Sequence, residues 1–209
     1  FLEKIGVIGE INFDIDEIAV YDDFSMGKCK LATASFGHGI ATTLLQLAKG
    51  YAVISNGGYN VNPKLILSES NEKKSQKKLL LNKDVSEKLV KILRKVVTNE
   101  EGTAGLANVN GYEIAGKTGT AEQAIDGQYS KTKINTFASV FPSSNPKFVF
   151  IVMLDSPRGS ETYVYNYRNK GGSFKGTPFN TAGWTSVEVA GQIIEKIGPI
   201  LATKYLQVY

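Results

Sequence analysis

Phe148 to Leu154 is an unbroken run of apolar residues, Phe-Val-Phe-Ile-Val-Met-Leu, and it follows Pro142-Ser143-Ser144-Asn145-Pro146, a stretch of turn chemistry. A strand of that composition has no face for water. It is built to lie inside a covered sheet. Two more segments read as strands: Tyr112 to Thr120, where Tyr112 and Ile114 alternate with Glu113 and Ala115 and Lys117-Thr118-Gly119-Thr120 forms the strand end, and Thr136 to Phe141.

Helical spacing accounts for much of the rest. From Thr42, the residues Leu44, Leu45, Leu47, Ala48, Tyr51, Ala52 and Ile54 predict a buried helix ended by Asn56-Gly57-Gly58. Asp84 with Glu87 reads as an acidic capping box. The helix that follows carries Val85, Leu89, Ile92, Leu93 and Val96 on one face and ends near Asn99 to Gly102. Thr185 with Glu188 opens a last helix, through Ala190, Ile193, Ile194 and Ile197 to Gly198-Pro199, which is expected to cover the sheet. Residues 1–30 read as a short helix and loops, and 68–82 as a polar surface excursion. The elements together make an α+β fold with one core, for which 209 residues, 42% of them hydrophobic, suffice.

Charge and composition exclude little. The net charge is +4, with much of the excess in Lys73, Lys74, Lys77 and Lys78, where no aromatic residues interleave. That pattern argues for a solvated loop and against nucleic acid. Cys29 is the only cysteine, so there is no internal disulfide. No apolar run approaches the ~20 residues that a membrane span requires, and Phe1-Leu2-Glu3-Lys4 is not a signal peptide.

Lys117-Thr118-Gly119-Thr120 is the constellation with chemical potential. A lysine there can hold a carboxylate, a glycine lets a substrate backbone pass close, and a free strand edge can pair with an extended peptide. By itself such a tripeptide is an ordinary strand end. Context changes its weight. Ser35-Phe36-Gly37-His38-Gly39-Ile40, Leu45-Gln46-Leu47-Ala48, Asn56-Gly57-Gly58, Glu101-Gly102-Thr103-Ala104, Ala115 to Glu122 and Phe137 to Pro142 occur in an order that resembles the class B penicillin-binding protein transpeptidase domain. Val152 to Pro157 and Ala182-Gly183-Trp184 resemble its division-specific branch.

The resemblance implies a penicillin-binding or serine β-lactamase-like fold, of which this chain is the C-terminal part of a single domain spanning 1–209. The sheet is expected to contribute its last three antiparallel strands, with helices on its faces and an incomplete N-terminal side. It implies a peptidoglycan D,D-transpeptidase with an acyl-serine mechanism and roles in septal wall synthesis. Lys117 would be catalytic, and Thr118, Gly119 and Thr120 would bind substrate. Stem peptides and β-lactams would be ligands, the missing N-terminal part of the domain and cell-division proteins partners, and the periplasmic face of the inner membrane the location. No metal or organic cofactor is implied.

Of the three motifs that such a site uses, only Lys-Thr-Gly is plainly present, so no nucleophile is assigned. Ser25-Met26-Gly27-Lys28 fits Ser-x-x-Lys in letters, but Gly27 and the preceding Asp22-Asp23 make a helix unfavourable there. Ser143-Ser144-Asn145 fits Ser-x-Asn, but follows Lys117 and reads as a turn. His38 reads as structural. Leu44 and Val187-Glu188 stand where the family has prolines. Three alternatives stay open: a D,D-carboxypeptidase, a serine β-lactamase, and a non-catalytic binding domain on the same scaffold.

Overall fold

The structure is a computed structural model that describes residues 1–11, 13–15, 28–37, 39–66, 78–125, 128–177 and 179–205. It divides into two compact units, residues 1–88 and 89–209. Ser25 to Gly27, His38 and most of the lysine-rich excursion lie outside the described residues.

The first unit holds helices α1 (Lys28–Ala34) and α2 (Leu44–Ser55). Residues 1–11 form turns rather than the expected helix. Thr43 fixes the start of α2. Its hydroxyl accepts from the Gln46 amide while the Gln46 side chain accepts from Thr43 N–H, a capping box. Only Gln46, Gly50 and Val53 of α2 are buried, so the helix is less enclosed than its composition suggests. At its end Gly58 takes φ +89°, and a Cβ there would stand 2.1 Å from the Leu81 carbonyl oxygen. Ile5, Val53 and Leu80 form a small core.

Helix α3 (Lys83–Thr98) crosses the boundary between the units. It starts before Asp84, which sits in the first turn, and the Asn82 carbonyl accepts from Val85 and Ser86 N–H. Asp84 is therefore not the cap. Ser86, Val90 and Val97 are buried, whereas Val85 and Ile92 are exposed, so the inward face is turned by one residue from the expected one. The Ser86 hydroxyl donates to the Ile54 carbonyl and accepts from Gly57 N–H.

The second unit is built on an antiparallel sheet of order β1-β2-β3 among the described residues: β1 Ala115–Ile125, β2 Gln128–Phe141 and β3 Phe148–Asp155. Glu113 has φ +47°, so Tyr112 to Ile114 do not extend the strand. Lys117 to Thr120 consequently lie near the start of β1 rather than at its end, and β1 continues because Ala121 and Glu122 pair with Ile134 and Lys133. A β4–β5 hairpin follows, Val164–Asn166 and Ser173–Lys175, then a 3₁₀ turn at Ala182–Trp184 and helix α4 (Ser186–Tyr205).

Helix α4 runs past Gly198-Pro199, where the sequence suggested a stop. Proline there removes one helical hydrogen bond, but Ile194, Gly198 and Leu201 on either side pack inward. Glu188 does not cap the helix. Its carboxylate is taken by Arg168, Tyr163 and Gln192. The core lies between α4 and one sheet face and includes Phe137, Phe141, Val152, Val187, Ala190 and Ile194.

β3 pairs with β2 alone among the described residues, so the apolar run leaves one edge open, in keeping with the expected incomplete sheet. Antiparallel pairing engages alternate backbone groups. We therefore expect amide exchange along Phe148 to Leu154 in the purified chain to alternate between slow and fast sites; uniform protection would show that a further strand covers this edge. No helix among the described residues is long and apolar enough to cross a membrane.

Candidate functional site

The pleat divides the four residues of the motif. Thr118 and Thr120 turn toward the α4 side, where Thr120 Oγ1 accepts from Ala182 N–H at 3.0 Å, while Lys117 and Gly119 fall on the opposite face. The Lys117 side chain is exposed and curls back over the edge. Its Nζ donates to the Thr118 carbonyl at 2.9 Å and reaches Thr118 Oγ1 at 3.4 Å. All four residues thus remain at one edge of the sheet, since β1 pairs only with β2 among the described residues.

Two glycines in this strand serve different purposes. A Cβ on Gly116 would stand 2.6 Å from the Ala138 carbonyl oxygen and 2.8 Å from the Phe137 ring, so internal packing requires glycine there. Among the described residues a Cβ on Gly119 would meet Thr136 alone, at 3.9 Å, and its φ is not positive. The fold itself does not demand glycine at 119.

Beside Thr118 and Thr120 is an open cavity of about 430 Å³. Thr103 lines it, with its hydroxyl 2.9 Å from that of Thr118. The loop that carries Thr103 closes the end of α3: Ala104 N–H donates to the Val96 carbonyl and Gly102 N–H to that of Asn99. A Cβ on Gly102 would stand 2.3 Å from the Val96 oxygen, which makes the loop specific to glycine.

The other wall is aromatic. Tyr167 and Trp184 line the cavity with ring centroids 6.0 Å apart, and Tyr165 and Phe174 hold Trp184 at 5.1 and 5.4 Å. Asn169 and Lys170 complete this side, with Lys170 Nζ 4.6 Å from the Tyr167 ring centroid. Asn169 Nδ2 donates to the Asn99 carbonyl at 2.8 Å.

Behind the wall, burial pushes the Tyr163 hydroxyl up to about 12, helped by its hydrogen bond to Glu188. Hydrogen bonds from Arg168 hold the Glu195 carboxyl below the usual range. Burial weakens the Arg168 cation, but hydrogen bonds to Glu195 and Glu188 outweigh that and raise its proton affinity.

Thr103 stands inside a segment singled out in the sequence, but its spacing from Thr118 gave no sign that the two hydroxyls meet. Tyr167 had no signal of its own. The Ser143-Ser144-Asn145 segment is indeed a turn, held by Ser143 Oγ and Ser144 N–H on the Glu113 carboxylate.

The ordering of these elements is shared with known proteins. Residues 11–176 match the penicillin binding protein transpeptidase domain. The chain is 32% identical over 182 residues to a probable peptidoglycan D,D-transpeptidase FtsI of Caulobacter vibrioides, covering 83% of this chain and 28% of that protein. It is 32% identical over 164 residues to a probable peptidoglycan D,D-transpeptidase PenA of Neisseria meningitidis, covering 77% and 26%. The chain thus spans little more than a quarter of the length of these relatives. The crystal structure of penicillin binding protein 3 from Mycobacterium tuberculosis, complexed with ampicillin, superimposes with a TM-score of 0.72 at 26% identity, covering 94% of this chain and 45% of that one. With the family pattern extending over most of the sequence, and the sheet and its flanking helix arranged as in a solved member, the chain belongs to the penicillin-binding protein transpeptidase domain family.

Proposed function

We propose that this chain forms part of a peptidoglycan D,D-transpeptidase of the division-specific kind, and that the β1 edge at Lys117 to Thr120 receives the substrate. The observation that carries the reading is Gly119, a glycine on an open edge that internal packing does not require. An extended stem peptide can lie along this edge as an added strand, with its terminal carboxylate near the Lys117 ammonium and the Thr118 hydroxyl. Thr120 supplies a backbone N–H to the oxyanion.

In the reaction a serine oxygen, not assigned to any residue of this chain, attacks the carbonyl carbon of the terminal D-alanyl-D-alanine bond. The C–N bond breaks and D-alanine leaves with a proton. The acyl ester is then attacked by an amine of a second stem peptide, which forms the cross-link and returns the serine. Penicillins acylate the same serine. The parent protein acts at the periplasmic face of the inner membrane with cell-division partners.

Gly119→Ala tests the reading. Because among the described residues the added methyl meets only Thr136, at ordinary contact distance, the fold should persist. Acylation of the complete protein by a fluorescent penicillin should fall by about tenfold or more, since small displacements of a reacting group are costly. Wild-type acylation kinetics in that variant would count against substrate lying on this edge.

A further inference from the structure

Arg168 stands between Tyr167 and Asn169, which line the cavity, yet its own side chain is directed to α4. Nε and Nη2 donate to the two Glu195 oxygens at 2.9 and 3.0 Å, and Nη1 donates to Glu188 at 2.9 Å and to the Leu106 carbonyl. The Arg168 and Glu188 side chains are only 15% and 9% exposed. The other Glu188 oxygen accepts from Tyr163 Oη at 2.8 Å and Gln192 Nε2 at 3.0 Å. Enclosed ion pairs of this kind are favourable only when their hydrogen bonds are satisfied, and here they are.

Two glycines make room for this arrangement. Gly191, inside α4 where glycine is unfavourable, faces the cluster: a Cβ would stand 2.6 Å from the Leu106 oxygen and 3.1 Å from Arg168 Nη1. Gly105 lies under the Asn169 amide, whose atoms would be 2.4 to 2.5 Å from its Cβ. The turn after Tyr167 is therefore clamped on one side through Arg168 and seated on the other through Asn169. Its remaining side chains form the cavity wall opposite Thr118 and Thr120.

We propose that Arg168 is a positioning residue: by fixing residues 167–170 to α4 it sets the place of Tyr167 and Trp184 and so determines how tightly a ligand is held before acylation, while the acylation step itself is left unchanged. The proposal rests on the reading that the Lys117 to Thr120 edge receives the ligand. Arg168 touches no reacting group.

The test uses the complete protein, labelled with 5-fluorotryptophan, with the Trp184 signal assigned by Trp184→Phe. Arg168→Met removes the clamp. Glu195→Gln weakens it without leaving a buried charge unpaired, because the enclosed Arg168 keeps Glu188, and it keeps the test open if Arg168→Met does not fold. Saturation kinetics with a fluorescent penicillin separate the half-saturating concentration from the limiting acylation rate. The half-saturating concentration should rise on the order of tenfold in Arg168→Met, and less in Glu195→Gln, with the limiting rate close to wild type and the Trp184 fluorine signal displaced.

An unmoved Trp184 signal, or a loss confined to the limiting rate, would overturn the proposal. Lys117→Ala, run in parallel, separates the two readings. If it is impaired while the clamp variants bind and react as wild type, the positioning role alone is wrong. If it too behaves as wild type while Trp184 moves, the edge is not the ligand site and both readings are overturned.

Discussion

Lys117→Ala in the complete protein should slow penicillin acylation by about 10²- to 10³-fold, the range seen when one preorganised electrostatic contact is removed from a site of this type. The Lys117 side chain is exposed and, among the described residues, bonds to atoms of the neighbouring Thr118, so it contributes charge at the edge and little to packing. The loss should therefore appear in acylation and not in stability. Rapid-mixing kinetics with a fluorescent penicillin, alongside circular dichroism and thermal unfolding, separate the two. Unchanged acylation in a folded variant would remove Lys117 from the site, and a large fall in melting temperature would mean that its role is structural.

The second large effect is expected beneath the same strand. Phe137 is fully buried, belongs to the core between the sheet and α4, and approaches Gly116 so closely that no Cβ fits between them. Phe137→Ala should cost about 3–5 kcal/mol through lost burial and the cavity left behind. That is a large part of the roughly 5–15 kcal/mol by which a domain is ordinarily stable. Urea unfolding of the variant provides the measurement. A cost below about 1 kcal/mol, typical of surface substitutions, would contradict the placement of this ring.

Local signals in the sequence identified elements well where one residue type decides the outcome. Pro142 to Pro146 specified the turn between β2 and β3, and the apolar run specified β3. Helix α2 begins within two residues of its expected start, with Thr43 and Gln46 forming the capping box. Errors arose where distant partners decide. Alternation at Tyr112 to Ile114 resembles a strand, but Glu113 adopts a positive φ and its carboxylate holds the Ser143-Ser144 turn instead. Glu188 has the spacing of a cap, but Arg168, 20 residues earlier, competes successfully for its carboxylate.

The candidate site was legible in the same uneven way. Lys117 to Thr120 could be singled out because the motif is contiguous, and the structure adds that its two threonines share the cavity face while Lys117 and Gly119 lie on the other. Thr103, Tyr167 and Arg168 come from loops whose neighbours are set by tertiary packing. Hydrogen bonds such as those of Arg168 to Leu106 and Asn169 to Asn99 span 62 and 70 residues, and no local pattern encodes contacts at that separation.

The central claim, that the β1 edge at Lys117 to Thr120 receives the substrate, is tested most directly by a crystal structure of the complete protein acylated by a penicillin. The ligand carboxylate should lie within hydrogen-bonding distance of the Thr118 hydroxyl and close to Lys117 Nζ, with its amide alongside the Thr120 backbone. A covalently bound penicillin placed elsewhere, with the edge from Lys117 to Thr120 empty, would contradict the account.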